Sequence, residues 1–216
     1  MSKTYTVKQG DHLFGIAEEN GFHSYSIIWD HPQNAQLKQT RQNPNILFPG
    51  DQVFIPDLEL REESRSTNQR HKFQVSTEQL QLRLVLEDVY EKPIAGASCN
   101  LIVDGDSHKL TSDGSGLIEL PIQPDAKKAV LIVDSDETPF ENVEIPIKIG
   151  HLDPVDKLSG QKARLNNLGY FAGDVGGPAD DAFESAVEEF QCDQNLTVDG
   201  KCGPATQAKL KQLHGC

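Results

Sequence analysis

The residues best suited to chemistry lie near the C-terminus. Cys192, Cys202 and Cys216 stand close in sequence to His214. Thiolates and imidazoles bind zinc, and they also form nucleophile and base pairs. The spacing lacks the Cys-x-x-Cys pairs of structural zinc sites, so we expect no metal here. Two possibilities stay open: a disulfide between Cys202 and Cys216, or reduced thiols, since four cysteines allow three sets of pairings.

The acidic residues do not predict a hydrolase. Glycan hydrolases use two carboxylates across a cleft, whereas Glu184, Glu188 and Glu189 fit a solvated helix face. The stretches DGDS and SDGSG read as hairpin turns, because neither carries a full set of calcium ligands. No nucleotide-binding loop, dinucleotide fingerprint or HExxH helix occurs. We therefore expect a protein that is not an enzyme and has no cofactor.

Composition narrows the possible partners. The chain has 216 residues and a formal net charge of -13, which repels phosphate backbones and anionic headgroups. We therefore expect neither nucleic acid nor a membrane surface as partner. No stretch reaches the roughly 18 apolar residues of a membrane span, and no secretory leader is seen before Lys8. Synthesis in the cytoplasm without a signal peptide is the expectation.

Residues 1–57 predict a small domain with the order strand, helix, helix, strand. Thr4 to Val7 alternate as a strand, and Asp11 is a suitable N-cap for a helix whose buried face carries Leu13, Ile16 and Ala17. A second helical region, in two pieces around a proline, should bury Ile28, Trp29, Ala35 and Leu37.

The rest of the chain predicts a linker and two further domains. Residues 58–71 are polar with charges of both signs, as in a solvated linker. Residues 72–149 alternate with a period of two, which is typical of an antiparallel β-sandwich. Residues 150–216 show helical periodicity and predict a compact three-helix bundle. The fold class is therefore multidomain α+β. The expected buried positions are Leu80, Leu82, Leu84 and Leu86 on one strand, Ala97, Cys99, Leu101 and Val103 on another, and Leu158, Ala163 or Gln161, Leu165, Leu168, Thr206, Leu210 and Leu213 on the helices.

The N-terminal sequence from Tyr5 to Pro56 resembles the LysM module. YTVKQGDHLFGIAEENG and NPNILFPGDQVFIP match the module's Gly-Asp-Thr-Leu and Asn-Pro-Asn…Pro-Gly signatures, with His12 at the Thr position. The resemblance implies a βααβ fold that binds N-acetylglucosamine-containing glycan of peptidoglycan or chitin in a shallow groove. By motif position, the groove would be lined by Asp11, His12, Leu13 and Phe14 on one side and by Asn43, Pro44, Asn45 and Ile46 on the other.

The C-terminal sequence resembles the three-helix peptidoglycan-binding domain that is often attached to wall hydrolases. The resemblance rests on LNNLGYFAG and on AVEEFQCDQNLTVDGKCGPATQAKL, in which Phe190-Gln191, Val198-Asp199-Gly200 and Gly203-Pro204 match closely. It implies a second wall-binding surface, with Tyr170, Asp199 and Thr206 as candidate contacts.

Two further resemblances concern the middle and the end of the chain. Pro93 to Ala97 and the turn at Asp113 resemble transthyretin-like and carboxypeptidase-regulatory-like sandwiches, which space or dock other domains. The terminal His-Gly-Cys is similar to the Ser-His-Gly-Cys motif of L,D-transpeptidases. Leu213 replaces the Ser here, and helices precede the motif instead of a β-rich catalytic domain. We therefore do not expect a transpeptidase.

Together, the resemblances imply a non-enzymatic adaptor that binds peptidoglycan glycan strands. Leaderless chains with this set of modules resemble accessory proteins encoded beside type VI secretion spikes and related phage-tail-like injection machines. That resemblance implies a spike or effector partner and action in the periplasm or at the cell wall after machine-dependent export. The alternative is a cytoplasmic effector chaperone or adaptor whose modules dock protein rather than sugar.

Overall fold

The computed structural model contains helices and several antiparallel sheets, and helices dominate its C-terminal part. The chain divides into two compact units: Met1–Lys3, Phe14–Ile28 and Ile55–Gly150 form the first, and Thr4–Leu13, Trp29–Phe54 and His151–Cys216 form the second. The N-terminal 57 residues thus contribute to both units. The structure describes residues 2–59, 64, 66–72, 79–88, 90, 92–133 and 144–215, so parts of the predicted linker and sandwich lie outside the described residues.

The N-terminal elements follow the predicted order. Strand β1 (Lys3–Thr6) and strand β2 (Gln52–Ile55) form a two-stranded sheet. Helices α1 (Leu13–Glu19), α2 (Ser26–Trp29) and α3 (Ala35–Arg41) lie between them in sequence. The expected buried face of α1 is confirmed, since Leu13, Ile16 and Ala17 are all buried.

A proline divides the second helical region, as the sequence predicts. A 3-10 turn at Pro32–Asn34 separates α2 from α3. The buried side chain of Asn34 fixes this turn, because its amide donates to the carbonyl of Phe54 at 2.8 Å and its oxygen accepts from the N–H of Phe54 at 2.8 Å. The prediction is wrong for Ala35, which is exposed because α3 restarts at that residue after the turn; Ile28 and Trp29 are buried and Leu37 is half-buried.

Within the described part of the middle region, six strands form two antiparallel sheets; the strands are β3 (Leu80–Val85), β4 (Ser98–Val103), β5 (Asp106–Thr111), β6 (Leu117–Ile122), β7 (Lys128–Val133) and β8 (Glu144–Lys148). One sheet pairs β3 with β6, and the other has the order β5, β4, β7, β8. Residues of both sheets share one hydrophobic core, in which Leu101 and Val133 are fully buried. The alternation predicted for β4 is confirmed, since Ala97, Cys99, Leu101 and Val103 all belong to this core.

Three helices account for most of the C-terminal segment: α4 (Leu158–Asn167), α5 (Asp181–Asp193) and α6 (Pro204–His214). The side chain of Asp180 caps α5 by accepting from the N–H of Phe183 at 3.2 Å, and α6 begins at a proline, which needs no hydrogen-bond acceptor there. Among the described residues, no helix has the length and apolar character needed to cross a membrane. The shared core of the three helices includes Leu165, Phe190 and Leu210, each with 0% exposure.

Two features of these helices depart from the predicted apolar stripes. Helix α4 buries Lys162 and Arg164, because loop carbonyls satisfy both cations: Lys162 Nζ lies 3.3 Å from the carbonyl of Asp174, and Arg164 Nη1 lies 2.8 Å from that of Asp153. Leu213 is exposed, so its predicted inward position is wrong. It stands in the last turn of α6, beyond the buried Leu210. Of the other expected positions, Gln161, Leu165 and Thr206 are buried, and Leu158, Ala163 and Leu168 are half-buried.

A glycine in α4 allows the preceding loop to pack directly on the helix. A Cβ atom at Gly160 would lie 2.1 Å from the carbonyl oxygen of Pro154 and 2.5 Å from that of Asp153. Arg164 stabilises the same contact, because its Nη1 donates to the backbone carbonyls of both Asp153 and Gly160. Backbone atoms cannot yield as a flexible side chain can, so a larger residue at this position fits only if the loop and helix backbones move apart.

We expect Gly160→Ala to lower the free energy of unfolding by about 1–3 kcal/mol, because the new methyl group overlaps backbone atoms. The sign is diagnostic, since glycine in a helix interior usually costs about 1 kcal/mol relative to alanine. Gly176→Ala is the control: its Cβ would come no nearer than 3.7 Å to a neighbour. Urea unfolding measures both variants, and a Gly160→Ala protein as stable as its parent would contradict the close contact.

Candidate functional site

The side chain of Gln191, near the end of α5, organises the loop that leads into α6. It is 2% exposed, and its Nε2 lies within hydrogen-bond distance of Asp199 Oδ1 (2.8 Å), the carbonyl of Lys201 (3.0 Å) and Thr206 Oγ1 (3.0 Å). Its Oε1 accepts from the backbone N–H groups of Asp199 (2.9 Å) and Gly200 (3.1 Å). One buried amide therefore fixes the whole turn between the two helices.

An open depression of about 430 Å³ lies over this turn. Its rim combines exposed polar side chains with the apolar surface of Pro204 and Ala205 at the start of α6. A second depression of about 420 Å³ shares Lys201 with the first. Hydrogen bonds hold the pKa of Asp199 below its ordinary value, first from Gln191 and then from the N–H of Lys201, so its carboxylate is charged at neutral pH. The first depression is lined by Gln191, Asn195, Leu196, Thr197, Asp199, Lys201, Gly203, Pro204, Ala205 and Thr206.

The structure brings two of the three predicted C-terminal contacts to this depression. Asp199 and Thr206 both line it, and both bond to Gln191. Tyr170 lies in the helical core instead: it is 7% exposed, its hydroxyl donates to Asp193 at 3.1 Å, and its ring meets Phe190 edge-on at 5.4 Å. In the sequence, Gln191 stands out only as part of the Phe190-Gln191 motif. The sequence feature that could have indicated a buried role for this residue is its position directly after a buried helical phenylalanine.

We expect Gln191→Met to lower the free energy of unfolding by about 1–3 kcal/mol, because the buried N–H of Gly200 loses its acceptor. The pKa of Asp199 should also rise toward its ordinary value, since its strongest stabilising hydrogen bond disappears. Urea unfolding and a carboxyl NMR titration measure the two effects. Gln194→Met, at the C-cap of the same helix, should change neither quantity.

The pH dependence has a defined sign. The folded-state pKa of Asp199 is lowered, so its stabilisation is present above the unfolded-state pKa and is lost as the pH falls through the folded-state value. In Gln191→Met this contribution should shrink. Equal pKa values of Asp199 in parent and variant would rule out Gln191 as the cause.

A backbone hydrogen bond joins the two predicted walls of the N-terminal groove. The N–H of Leu13 donates to the carbonyl of Pro44 at 3.0 Å. The second wall is an internally bonded turn, in which Asn43 accepts from the N–H of Asn45 through Oδ1 (2.9 Å) and from the N–H of Ile46 through its carbonyl (3.2 Å). Leu13 and Ile46 are buried, whereas Asn45 is exposed. Asn45 is therefore the residue of this wall most open to a ligand.

Asp11 braces the turn before α1, and the N-cap position falls at His12, one residue after the predicted Asp11. Its Oδ2 accepts from the hydroxyl of Tyr5 and from the N–H of Lys8, each at 2.8 Å. The helix begins only at Leu13, and the carboxylate is already engaged on the strand side. Asp11 thus stabilises the loop shape of the first wall.

The other two residues of the first wall are half-buried. His12 stands immediately before α1, and Phe14 lies in its first turn. Phe14 belongs to the first compact unit, where its ring lies 6.3 Å from that of Tyr25 at an interplanar angle of 49°. Each therefore leaves part of its ring surface accessible.

Cys202 does not show the environment of an activated nucleophile. Burial raises the pKa of the Cys202 thiol to about 11, and the nearby Arg164 offsets this only in part. A nucleophilic cysteine needs the opposite shift. Cys216 lies outside the described residues, so the disulfide between Cys202 and Cys216 stays a prediction. Within the described ranges, no group of three or more His, Cys, Asp and Glu side chains could hold a metal ion.

His214 is neutral at physiological pH. Burial, followed by the charge of Arg164, lowers its pKa to about 4. Nδ2 of Asn167 lies 3.0 Å from His214 Nε2. An amide nitrogen only donates, so Nε2 accepts this bond and the ring proton sits on Nδ1. The imidazole is therefore part of the helix packing in its uncharged form.

We expect acid to destabilise the protein partly through His214. Its folded-state pKa of about 4 lies below the ordinary 6.5, so the neutral form stabilises the fold above 6.5 and this contribution is lost as the pH falls toward 4. His214→Gln keeps an acceptor for Asn167 but does not titrate. Urea unfolding between about pH 7 and pH 4.5 should show a shallower loss of stability for the variant than for the parent. Parallel curves would contradict this assignment.

Of the two acidic turns in the middle region, DGDS is a hairpin turn between the paired strands β4 and β5. The hairpin prediction is wrong for SDGSG, because it joins β5 to β6, which lie in different sheets. Asp113 Oδ1 accepts from the N–H of Ser115 (2.8 Å), the hydroxyl of Ser115 (2.7 Å) and the N–H of Leu117 (2.9 Å). These bonds, first the one from the Ser115 hydroxyl, hold the pKa of Asp113 below its ordinary value. The carboxylate is therefore engaged by its own loop.

Comparison with known proteins identifies one related family. Residues 161–210 match the family model described as "Putative peptidoglycan binding domain". No curated protein and no solved structure matched the chain. The matched segment runs from α4 to Leu210 in α6, and it includes Gln191, Asp199 and Thr206. The match supports a C-terminal helical domain of the peptidoglycan-binding type.

Proposed function

We propose that the protein is a non-enzymatic adaptor that binds peptidoglycan glycan strands. The observation that carries the proposal is the family match over residues 161–210, because this segment contains the depression built around Gln191. The two loops that meet at Leu13 and Pro44 are proposed as a second glycan contact. The N-terminal part of this proposal rests on the LysM resemblance.

The chemistry of the C-terminal depression suits a neutral sugar chain. Asn195, Thr197 and Lys201 expose donors and acceptors at its rim, while Pro204 and Ala205 offer apolar surface. Sugars present hydroxyl groups at their edges and apolar C–H groups on their faces, so such a mixed surface can bind both. Hydrogen bonding does not need a positive field, and a net charge of -13 is compatible with a neutral glycan.

Two weak contacts on one chain can give useful affinity. Once the first contact is made, the second benefits from a raised effective concentration, provided that one glycan can reach both. Shallow surfaces of the kind seen here would then suffice. The N-acetylglucosamine unit is the proposed ligand group, because the N-terminal loops carry the LysM-like motif.

The cellular setting is also part of the proposal. We propose that the protein accompanies a type VI or phage-tail-like spike or its effector, and that it meets peptidoglycan in the periplasm or at the cell wall. The support for this setting is the sequence resemblance to accessory proteins of such machines.

A sacculus pull-down tests the proposal. We expect purified peptidoglycan sacculi to retain the protein, and we expect Ala205→Gln to reduce retention about fivefold or more, since a larger neutral side chain would fill part of the depression. Ala208→Gln is the matched control: Ala208 is also exposed on α6, but it does not line the depression. Equal loss in both variants would point to a general effect on the helix.

The N-terminal contact has its own test in the same assay. Phe14→Ala together with Asn45→Ala should reduce retention, and combining both with Ala205→Gln should reduce it further, as expected for two linked contacts. Absence of retention of the parent protein would overturn glycan binding and would favour protein docking. Release of muropeptides from sacculi would overturn the non-enzymatic assignment.

A further inference from the structure

Residues 41–51, which comprise the last residue of α3 and the loop from it to β2, contact two separate stretches of the C-terminal segment. The loop carries Asn43–Ile46, the second wall of the predicted N-terminal groove. Its partners are Asp156 and Lys157, just before α4, and Lys211 in the last turn of α6. All of these residues belong to the same compact unit.

Arg41 is the base of this contact. Its Nε and Nη2 donate to both carboxylate oxygens of Asp51, at 2.7 and 2.8 Å, and Asp51 also accepts from the N–H of Phe48 at 2.9 Å. Arg41 Nη1 is buried and makes no hydrogen bond within the described residues. The carboxylate of Asp156 faces it at 3.6 Å. Asp51 already balances the guanidinium charge, and Asp156 adds a second, weaker charge contact on the side of Nη1.

The ring of Phe48 forms a second part of the contact. Arg41 Cζ lies 5.6 Å from its centroid and Lys157 Nζ lies 5.1 Å from it, both within the range of a cation–π interaction. Lys157 Nζ is also 3.4 Å from Asp156 Oδ2. Asp156 and Lys157 thus engage two neighbouring groups of the loop at once.

Gln42 forms the third part. It is the C-cap of α3 and has a φ of 62°, a left-handed conformation that non-glycine residues seldom adopt. Its side-chain Oε1 accepts from Lys211 Nζ at 3.0 Å. Gln42 directs the chain from α3 into the groove loop, which is the loop that carries Asn43–Ile46. Lys211 therefore holds the side chain of the residue at the start of this loop.

We propose that Asp156, Lys157 and Lys211 form an intramolecular docking surface for residues 41–51, and that this surface orders the loop carrying Asn43–Ile46. The inference goes beyond glycan binding, since it concerns the order of the loop with or without a ligand. Each contact is weak because the side chains of Asp156, Lys157 and Lys211 are partly exposed to solvent, but the three act on one short loop. The contacts of this docking surface should weaken when salt screens their charges.

Hydrogen exchange of the full-length protein tests the docking surface. The triple variant combines Asp156→Asn, Lys157→Gln and Lys211→Gln. Its amides in residues 42–51 should exchange roughly threefold faster or more than those of the parent protein at about 0.1 M salt. Amides of α5 should be unchanged and serve as the internal reference for global stability. Raising the salt to about 1 M, which shortens the Debye length to about 3 Å, should speed exchange of the loop in the parent and have little effect in the variant.

A control with the same change in charge is available. The control variant combines Asp125→Asn, Lys127→Gln and Lys148→Gln. It alters three exposed residues that make none of the contacts described for residues 41–51, and it should leave the exchange of the loop unchanged. If the triple variant also loses protection in α5, the single variant Lys211→Gln replaces it and should still speed exchange near Gln42. Parent-like exchange in the loop, or equal acceleration in the control, would overturn the proposal. No glycan is present in this experiment, so its result is independent of sacculus binding.

Discussion

The buried amide of Gln191 is the interaction on which the C-terminal candidate site depends. Water cannot satisfy a side chain that is 2% exposed, so each of its polar atoms needs a partner from the protein. Those partners come from Asp199, Gly200, Lys201 and Thr206. The turn from α5 to α6 has no sheet or helix ladder of its own, and the amide supplies the missing hydrogen bonds. Gln191 therefore determines the shape of the depression, although its buried side chain would make little contact with a ligand.

The same constraint fixes other irregular segments of the chain. Asn34 pairs with both backbone groups of Phe54 and so holds the 3-10 turn against the last strand of the N-terminal region. Arg164 bonds to carbonyls of the loop before α4, and this loop can approach because residue 160 is a glycine. In each case one buried polar side chain replaces a row of regular hydrogen bonds. Such residues specify loop shape, whereas the apolar residues specify which elements pack.

The sequence predicts the apolar part of this division well. The alternation at Cys99 and Leu101 and the helical spacing at Phe190 are local patterns, and burial follows from them directly. The polar part is not local: Gln191 reads as a solvent-facing residue until the loop that surrounds it is known. Arg41 and Asp156 are far apart in sequence, and no periodicity relates them. The predicted burial of Leu213 is wrong for a related reason. An apolar pattern predicts which face of a helix is buried, but it does not predict how far along the helix the neighbouring elements cover that face.

The position of the groove loop bears on how two weak glycan contacts could cooperate. Modules joined only by a flexible linker gain an effective concentration that falls as the linker lengthens. The loop at Asn43–Ile46 and the depression at Thr206 instead belong to one compact unit, so the fold rather than residues 58–71 determines the distance between them. A fixed distance between the two contacts lowers the entropy cost of forming the second contact after the first. It favours only a ligand whose repeat length matches that distance. Under the proposed function, selectivity for a glycan strand would then arise from spacing, even though neither shallow surface alone offers much discrimination.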